Sequence, residues 1–176
     1  MISVFPGVLS REQLHELTAG ETPLITQWSD LEQQTQPNGF DLSLAEVHRH
    51  CGKGTIAVSN LQRVLPELEP VTPDEEGFLD LEPGIYHITY REIVSLPKNV
   101  MAFGRPRSSL NRSGVTIHTA VWDAGYSGRS TSLLSVLNPA GFRVQIGARV
   151  LQLVFVGLAQ EAGEGYAGIY QGENVQ

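Results

Sequence analysis

The chain has 176 residues, a single cysteine and a formal net charge of −7. This length suits one domain with its own core, and one cysteine excludes both an internal disulfide framework and a four-thiolate metal site. The negative charge argues against bulk binding of nucleic acid, and the sequence contains neither a secretory signal nor about 20 consecutive apolar residues, so we expect a cytoplasmic protein without nucleic-acid or membrane partners.

A short helix is predicted near the start of the chain. Ser10 is a suitable N-cap, Gln13 three residues later completes a capping box, and Leu14 and Leu17 follow at helical spacing before Gly20. We place this helix in an N-terminal extension, residues 1–35. A β domain at 36–158 and a C-terminal tail at 159–176 are expected to follow.

From Phe40 onward the sequence alternates between β-forming runs and turn signals such as Pro-Gly and Asn-Pro-Ala-Gly. The acidic stretch Pro66–Glu76, with three prolines, is predicted to be a surface loop. The tail from Gln160 is rich in glycine and glutamate and is expected to be mobile when free. The spacing indicates a mainly β, antiparallel fold that is closed or double-sheeted. The predicted strands are Phe40–His48, Thr55–Asn60, Gly84–Leu96, Val100–Gly104, Val115–Val121, Ser130–Leu137, Phe142–Ile146 and Val150–Leu158.

Four arginines cluster in a short stretch, and three of them lie in Gly104–Arg112, which reads Gly-Arg-Pro-Arg-Ser-Ser-Leu-Asn-Arg. Arginine forks and serine hydroxyls are donors suited to phosphate oxygens. A polar turn that opens a short helix, with solvated arginines, explains the same residues. Taken alone, the segment leaves both interpretations open.

A second segment, Val121–Arg129, reads Val-Trp-Asp-Ala-Gly-Tyr-Ser-Gly-Arg. An aspartate at the end of a strand could activate a water molecule, and Tyr126 could pack on a sugar ring. An aspartate before glycine is also ordinary turn chemistry. This segment alone is again ambiguous.

In order, the two segments resemble the second and third motifs of the dUTPase / dCTP deaminase superfamily. Gly39–Leu42 resembles the first motif, Gly147–Leu153 the fourth, and Tyr166–Glu173 the C-terminal segment of the dCTP deaminase and archaeal dUTPase branch. The run Ala-Val-Trp-Asp-Ala-Gly-Tyr is most similar to archaeal-type dUTPases. The resemblance implies a dUTPase-like distorted jelly roll of the β-clip type, a homotrimer with sites between subunits, and a triphosphate bridged by Mg²⁺.

The resemblance also implies roles for individual residues. Asp123 would activate the water that attacks the α-phosphorus of dUTP, which releases dUMP and pyrophosphate. Tyr126 would pack on the deoxyribose, and the hairpin Thr116–Val121 would hold the uracil. Asp41 would support the metal or the site geometry, although it could equally cap a turn, and no direct protein ligand of Mg²⁺ is implied. The residues implied to bind substrate are Arg107, Ser108, Ser109, Arg112, Tyr126, Gln152, Tyr166, Tyr170 and Gln171.

One position favours the hydrolase over the deaminase. Deaminases of this superfamily carry a glutamate ten residues after the aspartate of the third motif, whereas that position here is Leu133, and no carboxylate occurs from Ala124 to Gln160. Leucine cannot transfer a proton, so we expect a dUTP diphosphatase. The alternatives are a dCTP deaminase, a bifunctional deaminase and dUTPase, and a non-catalytic nucleotide sensor. The tail lacks the arginine-bearing final motif of dUTPases.

Histidine and cysteine add no clear site. His48 and His50 alternate on a predicted strand and could face one side, but no third metal ligand is evident in the sequence. We expect Cys51 to be structural or at the surface, and Trp122 to lie in the core or at an interface.

Overall fold

The computed structural model describes residues 6–175. The first five residues of the predicted N-terminal extension, and Gln176 at the end of the predicted tail, lie outside them. Within the described residues no helix is long and apolar enough to cross a membrane. The helices are α1 (Arg11–Ala19), α2 (Leu31–Gln34) and α3 (Ser108–Arg112), with a 3₁₀ turn at Asn60–Gln62.

Strands supply most of the regular structure, which confirms the predicted mainly β class. In chain order they are β1 (Gly7–Val8), β2 (Ile25–Thr26), β3 (Thr35–Gln36), β4 (Gly39–Cys51), β5 (Glu67–Pro70), β6 (Phe78–Leu81), β7 (Gly84–Tyr90), β8 (Ile93–Ser95), β9 (Val100–Pro106), β10 (Val115–His118), β11 (Val121–Trp122), β12 (Ser127–Gly128), β13 (Thr131–Val136), β14 (Phe142–Gln145) and β15 (Arg149–Gly157).

The largest sheet has the order β10-β13-β7-β4-β15-β9-β11, and its neighbouring strands are antiparallel. Two small sheets, β12-β8-β2 and β14-β6, complete the fold. The largest buried side chains include Phe40, Tyr86, Tyr90 and Phe155, one or two from each central strand. Because side chains alternate along a strand, these residues share the inner face of the sheet and form the core.

Helix α1 forms as its sequence predicts. The side chain of Ser10 accepts from the backbone N–H of Gln13, and the Gln13 side chain accepts from Ser10 N at 3.0 Å, so the capping box is complete. Leu14 and Leu17 are buried, and the helix ends before Gly20. Helix α2, which we did not predict, begins after Asp30, whose carboxylate accepts from Gln33 N at 3.0 Å.

The prediction of a strand at Thr55–Asn60 was wrong. Only a single bridge, Thr55 to Val64, forms there, and Val58 is fully exposed. The segment's β-forming residues have no partner strand in the described residues beyond that bridge, and propensity alone does not make a sheet. The loop predicted for Pro66–Glu76 was partly wrong, because its first half forms β5 and pairs with the end of β4.

Two long predicted strands are each divided by a turn. Gly84–Leu96 breaks at Arg91 and Glu92, and the second half, β8, joins a different sheet. Val115–Val121 breaks at Thr119, so β10 pairs with β13 and β11 pairs with β9. Strand β6 was missed; it pairs with β14 and closes one end of the molecule.

Candidate active site

A cavity of about 270 Å³ lies beside the turn that follows β11. This volume is near the lower end of the range for small-molecule sites, so it suits a nucleoside better than a complete nucleoside triphosphate. The carboxylate of Asp123 is exposed at this cavity. The lining residues are Ala120, Val121, Trp122, Asp123, Tyr126, Ser130, Thr131, Tyr166, Tyr170 and Glu173.

The turn after Asp123 depends on Gly125. This glycine has φ +87°, and a Cβ there would lie 2.7 Å from the Cα of Gly165 in the tail. Both the backbone conformation and the close approach of the tail therefore require glycine. The turn is closed by a hydrogen bond from Tyr126 N to Asp123 O at 3.0 Å, which fixes Tyr126 beside the carboxylate.

Tyr126 forms one wall of the cavity and is only 5% exposed. Its hydroxyl donates to Glu173 Oε1 at 2.8 Å, and its ring meets that of Tyr166 edge to face with centroids 5.7 Å apart. Burial is the main cause that raises the pKa of Tyr126, and Glu173 raises it further. Burial also raises the pKa of the Glu173 carboxyl, against the opposing effect of the Tyr126 hydrogen bond. Tyr126 therefore stays a neutral donor and the tail supplies its acceptor.

The C-terminal tail, for which we expect mobility when it is free, is docked on this turn in the structure. Tyr166 N donates to Ala124 O at 2.8 Å and Gly172 N donates to Ser127 O at 2.7 Å. The Gln171 side chain accepts from Ser127 N and donates to Gly125 O, both at 3.0 Å. These bonds satisfy backbone groups of two irregular segments at once, so sequence composition alone could not reveal them.

Trp122 is buried as expected, and it also lines the cavity. Its indole Nε1 is buried and has no hydrogen-bond partner among the residues that the structure describes. An indole N–H can only donate, and a buried donor without an acceptor is costly. The buried Nε1 is therefore an unsatisfied donor in the core beside the cavity.

A second group of predicted residues surrounds helix α3. Arg107 is its N-cap residue, Ser108 and Ser109 form its exposed first turn, and Arg112 is exposed in its last turn. Arg107 N donates to Val150 O at 3.0 Å, which ties the start of the helix to β15. The two serine hydroxyls and two guanidinium groups thus lie on one short helix with access to solvent.

Asp41 connects this group to the sheet. It is 1% exposed, and its Oδ2 lies 3.2 Å from Arg107 Nε and 3.5 Å from Arg149 Nη1. Burial raises the pKa of Asp41, while the two guanidinium groups oppose that rise. An oxygen that already contacts two cations is poorly placed to bind a metal. Of the two roles that the resemblance implies for Asp41, these contacts favour support of the site geometry over support of the metal.

Gln152 lies next to Asp41 across the β4–β15 ladder and is half-buried. Its side chain crosses over Gly39, where a Cβ would lie 2.9 Å from both Gln152 Cγ and Nε2. The glycine that opens the first motif therefore makes room for the glutamine of the fourth. The structure brings Asp41, Arg107 and Gln152 into one region.

The two groups are far apart within one chain. Trp122 pairs with Ala102 of β9, so Asp123 lies level with Met101. Arg107 follows the other end of β9, six residues further along the chain. At about 3.3 Å a residue, the two positions are about 20 Å apart, which is too far for both side chains to contact one phosphate group.

A family model described as dCTP deaminase-like matches residues 8–158. The chain belongs to this family. The family includes proteins with more than one reaction, so membership by itself does not choose between hydrolysis and deamination.

The chain's relatives bear a different name from that of the family model. A protein of Methanosarcina mazei named "Probable deoxyuridine 5'-triphosphate nucleotidohydrolase" is 45% identical over 168 residues, which cover 96% of this chain and 98% of the relative. A protein of Archaeoglobus fulgidus with the same name is 44% identical over 169 residues, covering 96% and 98%. The deoxyuridine 5'-triphosphate nucleotidohydrolase of Methanocaldococcus jannaschii is 37% identical over 142 residues, covering 80% and 89%.

A solved structure is similar in fold. The crystal structure of 2'-deoxycytidine 5'-triphosphate deaminase from Agrobacterium tumefaciens superposes with a TM-score of 0.65 at 22% sequence identity. The match covers 86% of this chain and 49% of that one, so this chain spans about half the length of the deaminase. At this identity the likeness shows the fold alone.

Sequence reasoning missed three residues that the structure places at the two groups. Arg149 contacts Asp41, although it stood in the fourth motif without an assigned role. Trp122 lines the cavity, and Glu173 brings a second carboxylate to it from beyond the stretch searched for a deaminase glutamate. Only Arg149 carried a signal, since an arginine inside a family motif is a candidate anion ligand.

Leu133 and four of the five histidines lie on the outer face of the largest sheet, whereas His15 lies on α1. Leu133 pairs with His118 on β10 and with His87 on β7. The ring centroid of His87 lies 6.3 Å from that of His48 and 5.9 Å from that of His50. His87 is thus a third histidine beside this pair, and the sequence alone did not show that it lies there. Even so, no group of three or more His, Cys, Asp or Glu residues within 6–175 is arranged to hold a metal ion.

Proposed function

We propose that this protein hydrolyses dUTP to dUMP and pyrophosphate, as a dUTP diphosphatase. The observation that carries the proposal is the exposed carboxylate of Asp123 at a nucleoside-sized cavity walled by Tyr126. Relatives that are 37 to 45% identical and named deoxyuridine triphosphate nucleotidohydrolases support the choice of substrate. The deoxyribose would pack on Tyr126.

In the proposed reaction, Asp123 accepts a proton from a water molecule as the water oxygen attacks the α-phosphorus. The bond from the α-phosphorus to the bridging oxygen breaks, and pyrophosphate departs with the bonding electron pair. Arg107 and Arg112 would neutralise the negative charge on the phosphates, and Ser108 and Ser109 would donate to their oxygens. Catalysis of this type depends mainly on positioning and charge stabilisation.

We also propose that Mg²⁺ binds with the substrate. Asp41 Oδ2 already contacts Arg107 and Arg149, so the donor set suits an ion held by phosphate oxygens and waters, as magnesium prefers. When bound, Mg²⁺ would reduce the negative charge of the phosphates. The residues around it would be those that hold the phosphates: Arg107, Ser108, Ser109 and Gln152.

The distance of about 20 Å between Asp123 and Arg107 leads us to propose that the complete site combines two copies of the chain. One copy would supply Asp123, Tyr126 and the tail, and a neighbouring copy would supply α3 with Arg107 and its serines. A homotrimer, as the family resemblance implies, would close this arrangement with three equivalent sites. Exposed Val58, Leu61 and Leu65 provide apolar surface for such contacts.

The tail residues would complete the closed site. Tyr166 and Tyr170 line the cavity, and Gln171 holds the tail on the turn after Asp123. We propose that the tail moves aside for nucleotide entry and closes again over the sugar. The division into an extension, a β domain and a tail, and the location in the cytoplasm, stay predictions of the sequence.

Glu173 keeps deamination of dCTP as a second candidate. The sequence offers leucine at the position of the deaminase glutamate, but Glu173 brings a carboxylate to the cavity from the tail. Its hydrogen bond to Tyr126 places it at the wall proposed for the sugar, where it cannot also serve C4 of a cytosine ring. Hydrolysis therefore remains the proposal.

The test is product analysis by chromatography with purified protein, Mg²⁺ and dUTP, dCTP, dTTP or UTP in separate reactions. The proposal expects dUMP and pyrophosphate from dUTP and little product from the other three. Conversion of dCTP to dUTP would replace hydrolysis with deamination, and Glu173→Gln would then show whether the tail carboxylate transfers the proton. Nucleotide binding without any product would place the protein among nucleotide sensors.

A further inference from the structure

A carboxylate without a cation lies buried behind the arginine group. Glu92 is 0% exposed, and no cationic side chain within residues 6–175 forms a salt bridge with it. Its Oε1 accepts from Gln34 Nε2 at 2.6 Å and its Oε2 accepts from Ser43 N at 2.8 Å. Burying a carboxylate is costly, and the protein compensates here with hydrogen bonds rather than with a cation.

Glu92 satisfies a backbone group at an interruption of the sheet. The pairing of β4 with β7 shifts register between Leu44 and Glu46, and the pairing of β4 with β15 shifts between Arg149 and Leu151, opposite Ser43. Such irregularities leave ladder groups unpaired and redirect nearby side chains. Glu92 accepts from Ser43 N while Arg91 N donates to Ser43 O at 2.9 Å, so the turn after β7 holds Ser43 from both sides.

Gln34 continues this network into the N-terminal extension. It is 1% exposed, and its Oε1 accepts from Ser29 N at 2.8 Å and Asp30 N at 3.0 Å. Its Nε2 donates both to Glu92 and to the backbone oxygen of Asp41 at 2.9 Å. Both ends of one amide are thus satisfied, and Asp41 is held through its own main chain.

The network ends at the arginines. Asp41 lies two residues before Ser43 and contacts Arg107 Nε at 3.2 Å and Arg149 Nη1 at 3.5 Å. We propose that Gln34 and Glu92 are positioning residues that fix Asp41, and through it hold Arg107 in place for the substrate phosphates. This inference rests on the proposed function, since it assigns phosphate binding to Arg107. Neither residue touches the substrate.

The test separates phosphate binding from binding of the nucleoside. Glu92→Gln keeps the size of the side chain but turns an N–H₂ group towards either Gln34 Nε2 or Ser43 N. We expect this variant to bind a non-hydrolysable imido analogue of dUTP about tenfold more weakly, as for the loss of one hydrogen bond to a charged group, and to bind 2′-deoxyuridine as the wild type does. In turnover, the KM for dUTP should rise while kcat changes little. Glu67→Gln, an exposed carboxylate on β5, is the matched control.

Gln34→Met provides a second variant that removes the bond to the Asp41 main chain, and circular dichroism checks that each protein is folded. If the variants bind the analogue and the nucleoside more weakly by the same factor, Glu92 and Gln34 have only a structural role, and the proposal is overturned. Unchanged binding of the analogue in both variants would overturn it as well. Because the binding comparison needs no turnover, it holds even if the wild-type protein fails to hydrolyse dUTP, which would refute the proposed function alone.

Discussion

Gln171→Ala should release the C-terminal tail from the turn after Asp123. The substitution removes two hydrogen bonds, one from Ser127 N and one to Gly125 O, both at 3.0 Å. Both are exposed to solvent, so their combined contribution is about 1 to 2 kcal/mol, from 0.5 to 1 for each. A change of this size raises the population of the undocked tail about five- to thirtyfold.

Limited digestion with chymotrypsin measures that population, because the tail contains Tyr166 and Tyr170. When docking is fast relative to cleavage, the cleavage rate follows the population of the open tail. Mass spectrometry of the fragments identifies cleavage after these tyrosines. Gln160→Ala is the matched control, since Gln160 is exposed and has no side-chain hydrogen bond among those of the described residues. A Gln171→Ala protein that is cut no faster than the wild type would refute the idea that this amide holds the tail.

Three further predictions concern the site and the network behind it. Asp123→Asn should lower the rate of dUTP hydrolysis about 10²- to 10⁴-fold and leave binding of the imido analogue unchanged by calorimetry, whereas exposed Asp80→Asn should leave both the rate and the binding unchanged; retained hydrolysis in Asp123→Asn would remove the assigned role. Gly39→Ala would place a Cβ 2.6 Å from Leu153 O, so urea unfolding should show a loss of about 1 to 3 kcal/mol, and Gly163→Ala, with open space around it, should show none. Burial raises the pKa of Glu92 above 4.5, so the stability that its protonated form contributes is full below pH 4.5 and is lost as the pH rises through the raised pKa. The free energy of unfolding from urea titrations should therefore fall less steeply over this pH range in Glu92→Gln than in the wild type. The same pH dependence in both proteins would contradict the prediction.

The motifs of the site were readable from the sequence because each combines chemistry with local geometry. Ser10 and Gln13 predicted the start of α1, and the order of the motifs around Asp41, Arg107 and Asp123 indicated the family that the comparisons then confirmed. The strand predictions worked where alternating residues bury one face. They failed at Thr55–Asn60, where the β-forming residues form only the bridge from Thr55 to Val64 within residues 6–175.

Long-range pairing explains what the sequence did not reveal. The tail is rich in glycine and glutamate, which led us to expect a segment that is mobile when free, and this composition does not reveal that its backbone groups find partners at Ala124 and Ser127, about 40 residues away in sequence. The contact between Gln34 and Glu92 spans 58 residues, and nothing local to either residue marks it. Such contacts depend on where strands cross, which neither propensity nor spacing encodes.

The sequence by itself determined the fold class, the family and most of the residues proposed to act on the nucleotide, because those depend on short motifs whose spacing is fixed by local backbone geometry. The tertiary structure alone decided which of these residues meet. It placed Asp123 and Tyr126 at one end of β9 and Arg107 at the other, and it buried Glu92 behind Asp41. The physical reason is the register of antiparallel strands, which sets distances between motifs that a linear sequence leaves open.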